Sequence, residues 1–255
     1  MMKAVILGSG SAYGCPMAFN KWRRLNPHNL KNIRNRASVY LEVDGKKFIV
    51  DAGPEFRLEV NKCGMEDVDA VFITHGHYDH IAAVPDLARA CTMLEHEIEV
   101  WSSSETETEL RRCFGFLFNG EEAEGKGLHW RRLPDLGDFE CCGIRFQTFQ
   151  VPHHRWHCSA FRCRDFAYVT DWESIPPQGL ELLKNLKLLV IECNNGLYPE
   201  KNGHSDLENV KKVAAQIKPE RVVLTHLSAR VDYDETTAAL PENFELAYDG
   251  MVLEV

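Results

Sequence analysis

No apolar run in the 255 residues approaches the ~20 needed for a helix to cross a bilayer. Cys-x-x-Cys pairs are also absent, and the nine cysteines, an odd number, are scattered from Cys15 to Cys193. This excludes a simple disulfide framework and a spacing-defined thiolate zinc knuckle. Reduced cysteines, spread through core and surface, are expected instead. The chain also lacks internal repeats, low-complexity tracts and linkers, so one domain over residues 1–255 is expected. An excess of basic charge is missing too. The net charge is −9, whereas a general nucleic-acid binder is more often basic, so no large nucleic acid is expected as a partner. The opening Met1-Met2-Lys3-Ala4-Val5-Ile6-Leu7-Gly8 is too soon broken by glycine for a signal peptide and reads as a strand. A cytoplasmic protein with no membrane partner is the expectation.

The composition, 44% hydrophobic and 26% charged, is enough for a sizeable core. One segment departs from the acidic average. Between Lys21 and Arg36 stand six Lys or Arg residues (Lys21, Arg23, Arg24, Lys31, Arg34, Arg36) and His28, with no acid. It reads either as a solvated loop or as a cap that attracts an anionic substrate. Gly8-Ser9-Gly10-Ser11 is followed by no Gly-Lys-Ser/Thr, so it is not a P-loop, though its backbone N–H groups could approach an anion.

Strands are predicted at 3–7, 37–43, 47–51, 68–74, 97–101, 128–133, 138–151, 158–169, 186–192, 222–225, 244–248 and 251–255. Helices are predicted at 80–95, 104–114 and 207–217, with a helical turn at 180–185 and a loop or lid at 114–127. Strands cluster in both halves with helices between them, which suits two packed sheets covered by helices, an α/β architecture.

The histidines are distributed unevenly. His75-Gly76-His77-Tyr78-Asp79-His80 follows the apolar Val68–Thr74 strand, and a loop at a strand end can turn several side chains to one point. Imidazole and carboxylate together suit Zn²⁺, Mn²⁺ or Fe²⁺. Further candidate ligands close other predicted strands: His153 or His154, Asp171, and His226. Thr74, Asp51-Ala52-Gly53 and Ser228 are read as supporting groups, because a ligating imidazole needs a partner on its other nitrogen.

The motif His75-x-His77-x-Asp79-His80, followed by a histidine, by Asp171 in Tyr168-Val169-Thr170-Asp171 and by His226 in Leu224-Thr225-His226, resembles the metallo-β-lactamase superfamily. Within it the chain more closely resembles one branch, the phosphoribosyl 1,2-cyclic phosphate phosphodiesterases of phosphonate breakdown. That closer likeness lies in Leu7-Gly8-Ser9-Gly10-Ser11-Ala12-Tyr13-Gly14-Cys15-Pro16, in Gly203-His204-Ser205-Asp206-Leu207, and in Arg221 to Ser228 with Ala239-Leu240-Pro241 and Tyr248-Asp249-Gly250-Met251.

The resemblance implies a four-layer αββα sandwich holding two divalent metal ions, Zn or Mn, with Fe an alternative. It assigns His75, His77 and His153 to one ion, Asp79, His80 and His226 to the other, and Asp171 to both, with His153 preferred to His154. It implies catalytic roles for Asp79 and His204, the latter as general acid, and attack by a metal-activated hydroxide on a small anionic phosphate ester. It also implies a homodimer as a possible assembly. The family's structural zinc is not expected, since only Cys15 stands in the early region and Ala229-Arg230 in the later one. The alternatives are a nuclease or cyclic nucleotide phosphodiesterase, a thioester or lactone hydrolase of the same superfamily, and a non-catalytic metal-binding protein.

Overall fold

In the computed structural model, which describes residues 2–118 and 127–255, the strands form two seven-stranded sheets. The first contains β1 (Met2–Gly8), β2 (Ser38–Val43), β3 (Lys46–Val50), β4 (Ala70–Phe72), β5 (Ile98–Ser102), β6 (Leu128–Arg132) and the C-terminal β14 (Val252–Glu254), in the order β14-β1-β2-β3-β4-β5-β6. The second contains β7 (Leu136–Cys141), β8 (Ile144–His153), β9 (Trp156–Cys163), β10 (Phe166–Val169), β11 (Leu188–Glu192), β12 (Arg221–Thr225) and β13 (Phe244–Leu246), in the order β13-β12-β11-β10-β9-β8-β7. Each sheet has an antiparallel part and a parallel part: β3 to β6 run parallel in one and β10 to β13 in the other.

Phenylalanines fill the space between the sheets. Phe48 and Phe72 on the first meet Phe146 edge-on, each with ring centroids 4.9 Å apart, and Phe72 also lies 5.3 Å from Phe161. Edge-to-face packing lets large rings interlock without facing their π clouds. The outer faces are covered by helices. α1 (Phe56–Lys62), α2 (Tyr78–Ile81), α3 (Val84–Leu94) and α4 (Ser104–Cys113) lie on the first sheet, where Phe56, Ile81, Val84, Leu87 and Leu110 meet Val71 and Val100. α5 (Pro177–Leu182) and α6 (Leu207–Ile217) lie on the second, where Val210, Val213 and Ile217 meet Leu189 and Val222. A short α7 (Tyr233–Thr237) follows. The expected αββα layering is present, and no helix among the described residues is long and apolar enough to cross a membrane.

Several predicted elements are divided. The strand expected over 138–151 is two strands turning at Cys142 and Gly143, both at positive φ (51° and 77°). The strand expected over 158–169 likewise turns at Arg164, φ 54°. No Asn-Gly or Asp-Gly marks either turn, so the flanking apolar residues ran together in the sequence pattern. The helix expected over 80–95 breaks into α2 and α3. There the Ala83 N–H bonds the carbonyl of Ala52 and the Ala52 N–H bonds the carbonyl of His80, both at 2.9 Å. Gly53 permits this docking, since a Cβ on it would lie 2.4 Å from the Asp79 carbonyl oxygen.

The basic segment is a loop with one 3-10 turn at Leu30–Asn32. Lys21, Arg23, Arg24, His28 and Lys31 are exposed, while other parts of the segment are anchored. Arg34 is buried and donates to Asn32 Oδ1 at 3.0 Å, Arg36 pairs with Glu55, and Lys31 lies over the rings of Tyr233 and Tyr248. Of the predicted loop or lid at 114–127, Phe114 and Phe118 pack against the helix-covered core of the first sheet; its residues 119–126 lie outside the described residues.

One buried acid opposes the fold. Glu59 on α1 is 1% exposed, and neither carboxylate oxygen has a hydrogen-bond partner among the described residues. Burial, then the charges of Asp249 and Glu55, push its carboxyl up from 4.5 to about 9. The unfolded chain ionises this group near its ordinary value, while the native state must keep it neutral. Its contribution is therefore intact below the ordinary value and is lost as pH rises toward 9. Glu59→Gln is expected to raise Tm, by roughly 2–4 °C per kcal/mol relieved, with a gain that widens between about pH 5 and pH 9. A gain independent of pH in thermal melts would show that ionisation is not the cost.

Candidate metal centre

The parallel strands of both sheets end on the same rim, and the polar cluster lies in the loops beyond them. After β3 comes Asp51, after β4 the His75–His80 loop, at the end of β8 His153 with His154 following, after β10 Asp171, at the end of β11 Glu192 with Cys193 to Asn195 following, and after β12 His226. Asp51, Asp171 and His226 hold φ at 67°, 47° and 55°. A non-glycine residue in this left-handed region is uncommon and carries a cost of about 1–3 kcal/mol. All three occur where a strand stops and its next side chain turns back toward the cluster.

The rings pack closely. His75 and His80 have centroids 4.3 Å apart, His75 and His77 4.5 Å, and His77 and His153 5.1 Å. The ligand-type atoms converge in several overlapping groups whose members all lie within 4.8 Å of one another, among them His75, His77 and His153; His153, His154 and His204; His75, His80 and Asp171; and Asp79, His80 and His226. Asp171 stands between the first and the last of these. Its carboxylate lies 3.3 Å from His80 Nε2, 3.5 Å from His226 Nε2 and 3.8 Å from His153 Nε2. His153 is buried in this cluster, whereas His154, at φ 52°, is exposed on the rim beside His153 and His204.

Each inner imidazole is held from behind. His80 Nδ1 faces Asp51 Oδ2 at 2.6 Å, and Asp51 is fixed in turn by the N–H and hydroxyl of Thr74. His153 Nδ1 faces the carbonyl of Gly203 at 2.9 Å, and His226 Nδ1 faces the Asn194 side chain at 3.2 Å. Gly203, at φ 76°, is required here, since a Cβ would meet the His154 ring at 2.2 Å. These contacts fix which nitrogen of each ring faces inward.

Charge is tightly balanced. Burial alone would raise the Asp79 and Asp171 carboxyls, but neighbouring imidazoles, His80 and His226 among them, hold both well below the usual range. Burial would lower His80, but Asp79, Asp51 and Asp171 raise it well above an ordinary imidazole. Burial prevails at His75, which lies well below, and at His153, lowered to about 4. In the chain alone, a proton on His80 is thus the cation for three buried carboxylates. Its Nε2 is buried without a hydrogen bond. Two carboxylates and an orphaned ring nitrogen facing one space form a donor set that fits divalent cations.

His204 closes the cluster from the loop before α6. Its Nδ1 lies 3.5 Å from Asp171 and 3.6 Å from Glu192. Burial would lower this imidazole, but the Glu192 and Asp171 carboxylates push it up to about 9. Glu192 was not singled out from sequence. It is fully buried and accepts the N–H groups of Asn194 and Ser205 at 2.8 and 3.2 Å. The available signal was its position, a carboxylate ending the otherwise apolar Leu188–Glu192 strand. A cavity of about 440 Å³ opens over the cluster, bounded by His77, Asp79, His153, Asp171 and His204 on one side and by Arg23, Arg230 and Tyr13 on another.

A model of the β-lactamase superfamily domain matches residues 46–227. The chain belongs to the metallo-β-lactamase superfamily. It carries His/Asp groups of the kind that hold divalent metals. A solved diphosphatase from the PhnP family is similar over 100% of this chain and 98% of its own, at 27% identity and a TM-score of 0.88. An octanoyltransferase of Porphyromonas gingivalis is 27% identical over 98% of this chain and 51% of its own length. The exodeoxyribonuclease WalJ of Streptococcus pneumoniae is 40% identical over 62% of this chain and 58% of its own. The chain thus spans about half the length of these curated relatives.

Glu192→Gln is expected to lower the His204 imidazole from about 9 toward the ordinary 6.5, as read by NMR titration of the metal-free protein. An unchanged titration would mean that Asp171 alone supports the charge.

Proposed function

We propose that this protein is a hydrolase that opens a small cyclic phosphodiester of the phosphoribosyl cyclic phosphate type, using two divalent metal ions, Zn or Mn. The observation that carries the reading is the placement of His204, which turns Nδ1 to the Asp171 and Glu192 carboxylates on the wall of the same cavity as the His75, His77 and His153 group and the Asp79, His80 and His226 group. The similarity to a diphosphatase of the PhnP family points the same way. In this reading His75, His77 and His153 hold one ion and Asp79, His80 and His226 the other, with Asp171 between. When bound, such ions supply an activated water and neutralise phosphoryl oxygens.

The chain's own groups do the rest. Asp51, Gly203 and Asn194 keep the His80, His153 and His226 rings aimed inward. His204 turns Nδ1 to Asp171 and Glu192, so the Nε2 proton is the one left to give to a departing alkoxide. Arg23 and Arg230 line the opposite wall. Arg230 is engaged by Glu200, while Arg23 is exposed, with no ion pair recorded among the described residues. Its guanidinium suits a second phosphate on the substrate, bound through paired N–H donors.

Phosphorus NMR of 5-phosphoribosyl 1,2-cyclic phosphate with metal-stripped, Mn²⁺-reloaded protein should show a ring-opened phosphomonoester. An unchanged spectrum from protein holding both ions would overturn the reading and direct attention to nucleotide diesters. His204→Ala should slow this poor leaving group by about 10²–10⁴-fold while sparing nitrophenyl esters; equal losses on both would remove His204 as the acid. Arg23→Ala should raise KM at nearly constant kcat, and should leave KM for bis(nitrophenyl) phosphate, which lacks a second phosphate, unchanged. Equal changes on both substrates would exclude that contact.

A further inference from the structure

At the end of the sandwich away from the histidine cluster, a second set of ligand-type atoms converges. Glu99 lies on β5 of one sheet, Cys141 ends β7 of the other, and Cys142 begins the turn into β8. The nine residue steps of β8 from Ile144 to His153 place this turn roughly 30 Å from the histidines, at about 3.3 Å per residue. Successive side chains of a strand point to opposite faces. Cys142 escapes that rule because its φ is 51°, and its sulfur comes round to the side of its neighbour's. The two Sγ atoms lie 3.8 Å apart, and Cys141 Sγ lies 3.2 Å from Glu99 Oε2.

These spacings have a simple meaning. With Zn–S near 2.3 Å and Zn–O near 2.0 Å, tetrahedral angles separate two sulfurs by about 3.8 Å and a sulfur from an oxygen by about 3.5 Å. The carboxylate is also held ready: Trp101 Nε1 donates to Glu99 Oε2 at 2.8 Å and Arg131 Nε to Oε1 at 3.2 Å. Such outer contacts orient a metal ligand. Cys141 is buried and Cys142 half-buried, leaving the fourth position to the solvent side. We propose that Glu99, Cys141 and Cys142 form a second metal site, for a single thiophilic divalent cation such as Zn²⁺ or Cd²⁺, which cross-links the two sheets.

Two thiolates and a carboxylate around a divalent cation leave one net negative charge, beside Arg131 and the ammonium of Lys46. In the metal-free chain, burial and then Cys142 and Glu99 hold the Cys141 thiol far above its ordinary range. Both protons must therefore leave on binding, and affinity should rise with pH. The site stands independently of the reaction at the other rim.

The test is a Cd²⁺ titration of the reduced full chain, its histidine centre already loaded with Mn²⁺, followed by ultraviolet thiolate-to-cadmium absorption. About one equivalent should produce the band, and Zn²⁺ should compete for it and raise Tm, as any ligand selective for the native state does. Cys142→Ser and the Cys141→Ser/Cys142→Ser pair should abolish the band with the circular dichroism unchanged. Trp101→Phe, which removes the outer hydrogen bond to Glu99 Oε2, should weaken binding by about 10–100-fold, and Glu99→Gln should weaken it further. No band in the wild type, or the same band in the folded Cys142→Ser protein, would overturn the site; the single variant decides the matter if the double one fails to fold.

Discussion

Three buried carboxylates, Asp51, Asp79 and Asp171, meet around one imidazole, His80. Burying like charges together is costly unless cations share the space, and the surrounding architecture serves to keep that concentration in place. His80 is gripped on one nitrogen by Asp51 and left without a hydrogen bond on the other. Thr74 saturates the outer carboxylate so that it cannot turn inward. Without a metal a proton on His80 carries the balance; with cations present the same donors are already aimed. The cluster is thus preorganised by second contacts at nearly every ring, which is what a site needs if binding is not to require rearrangement.

Rigidity comes from the sheets. Both parallel halves deliver strand ends to one rim, so residues far apart in sequence, Asp51 and His226 among them, reach the same few ångströms. The left-handed turns at Asp51, Asp171 and His226 complete the convergence. Such local strain persists because β3, β10 and β12 are paired on both sides and packed on both faces, leaving no relaxed alternative for the residues that follow them. The same property of the hairpin turn at Cys142 places two sulfurs side by side at the opposite end.

The basic segment shows how charge in a sequence is redistributed by folding. Seven cationic or potentially cationic side chains read as one patch. In the fold Arg34 becomes an interior brace, Arg36 an ion-pair partner, and Lys31 and Arg24 covers for tyrosine rings, while Arg23 faces the cavity. A protein of net charge −9 thus still places an exposed cation at one wall of its cavity.

The alternation of apolar strands and helices, and the crowding of His75, His77, Asp79 and His80 after one strand, could be read from the chain, because hydrophobic period and ligand spacing are local properties. Asp171 and His226 were legible for the same reason, each closing an apolar run. Glu192 closes such a run as well, yet only the fold set it against His204, across the loop leading to α6. The hairpin turns at Cys142 and Arg164 and the break between α2 and α3 were not legible. Their causes are a backbone conformation with no Asn-Gly or Asp-Gly marker and a hydrogen bond from Ala83 to the distant Ala52. Sequence determined which side chains could bind a cation. The tertiary structure decided which nitrogen of each ring faces inward, which arginines line the cavity and which carboxylates surround His80, because those depend on contacts between residues that the chain itself keeps far apart.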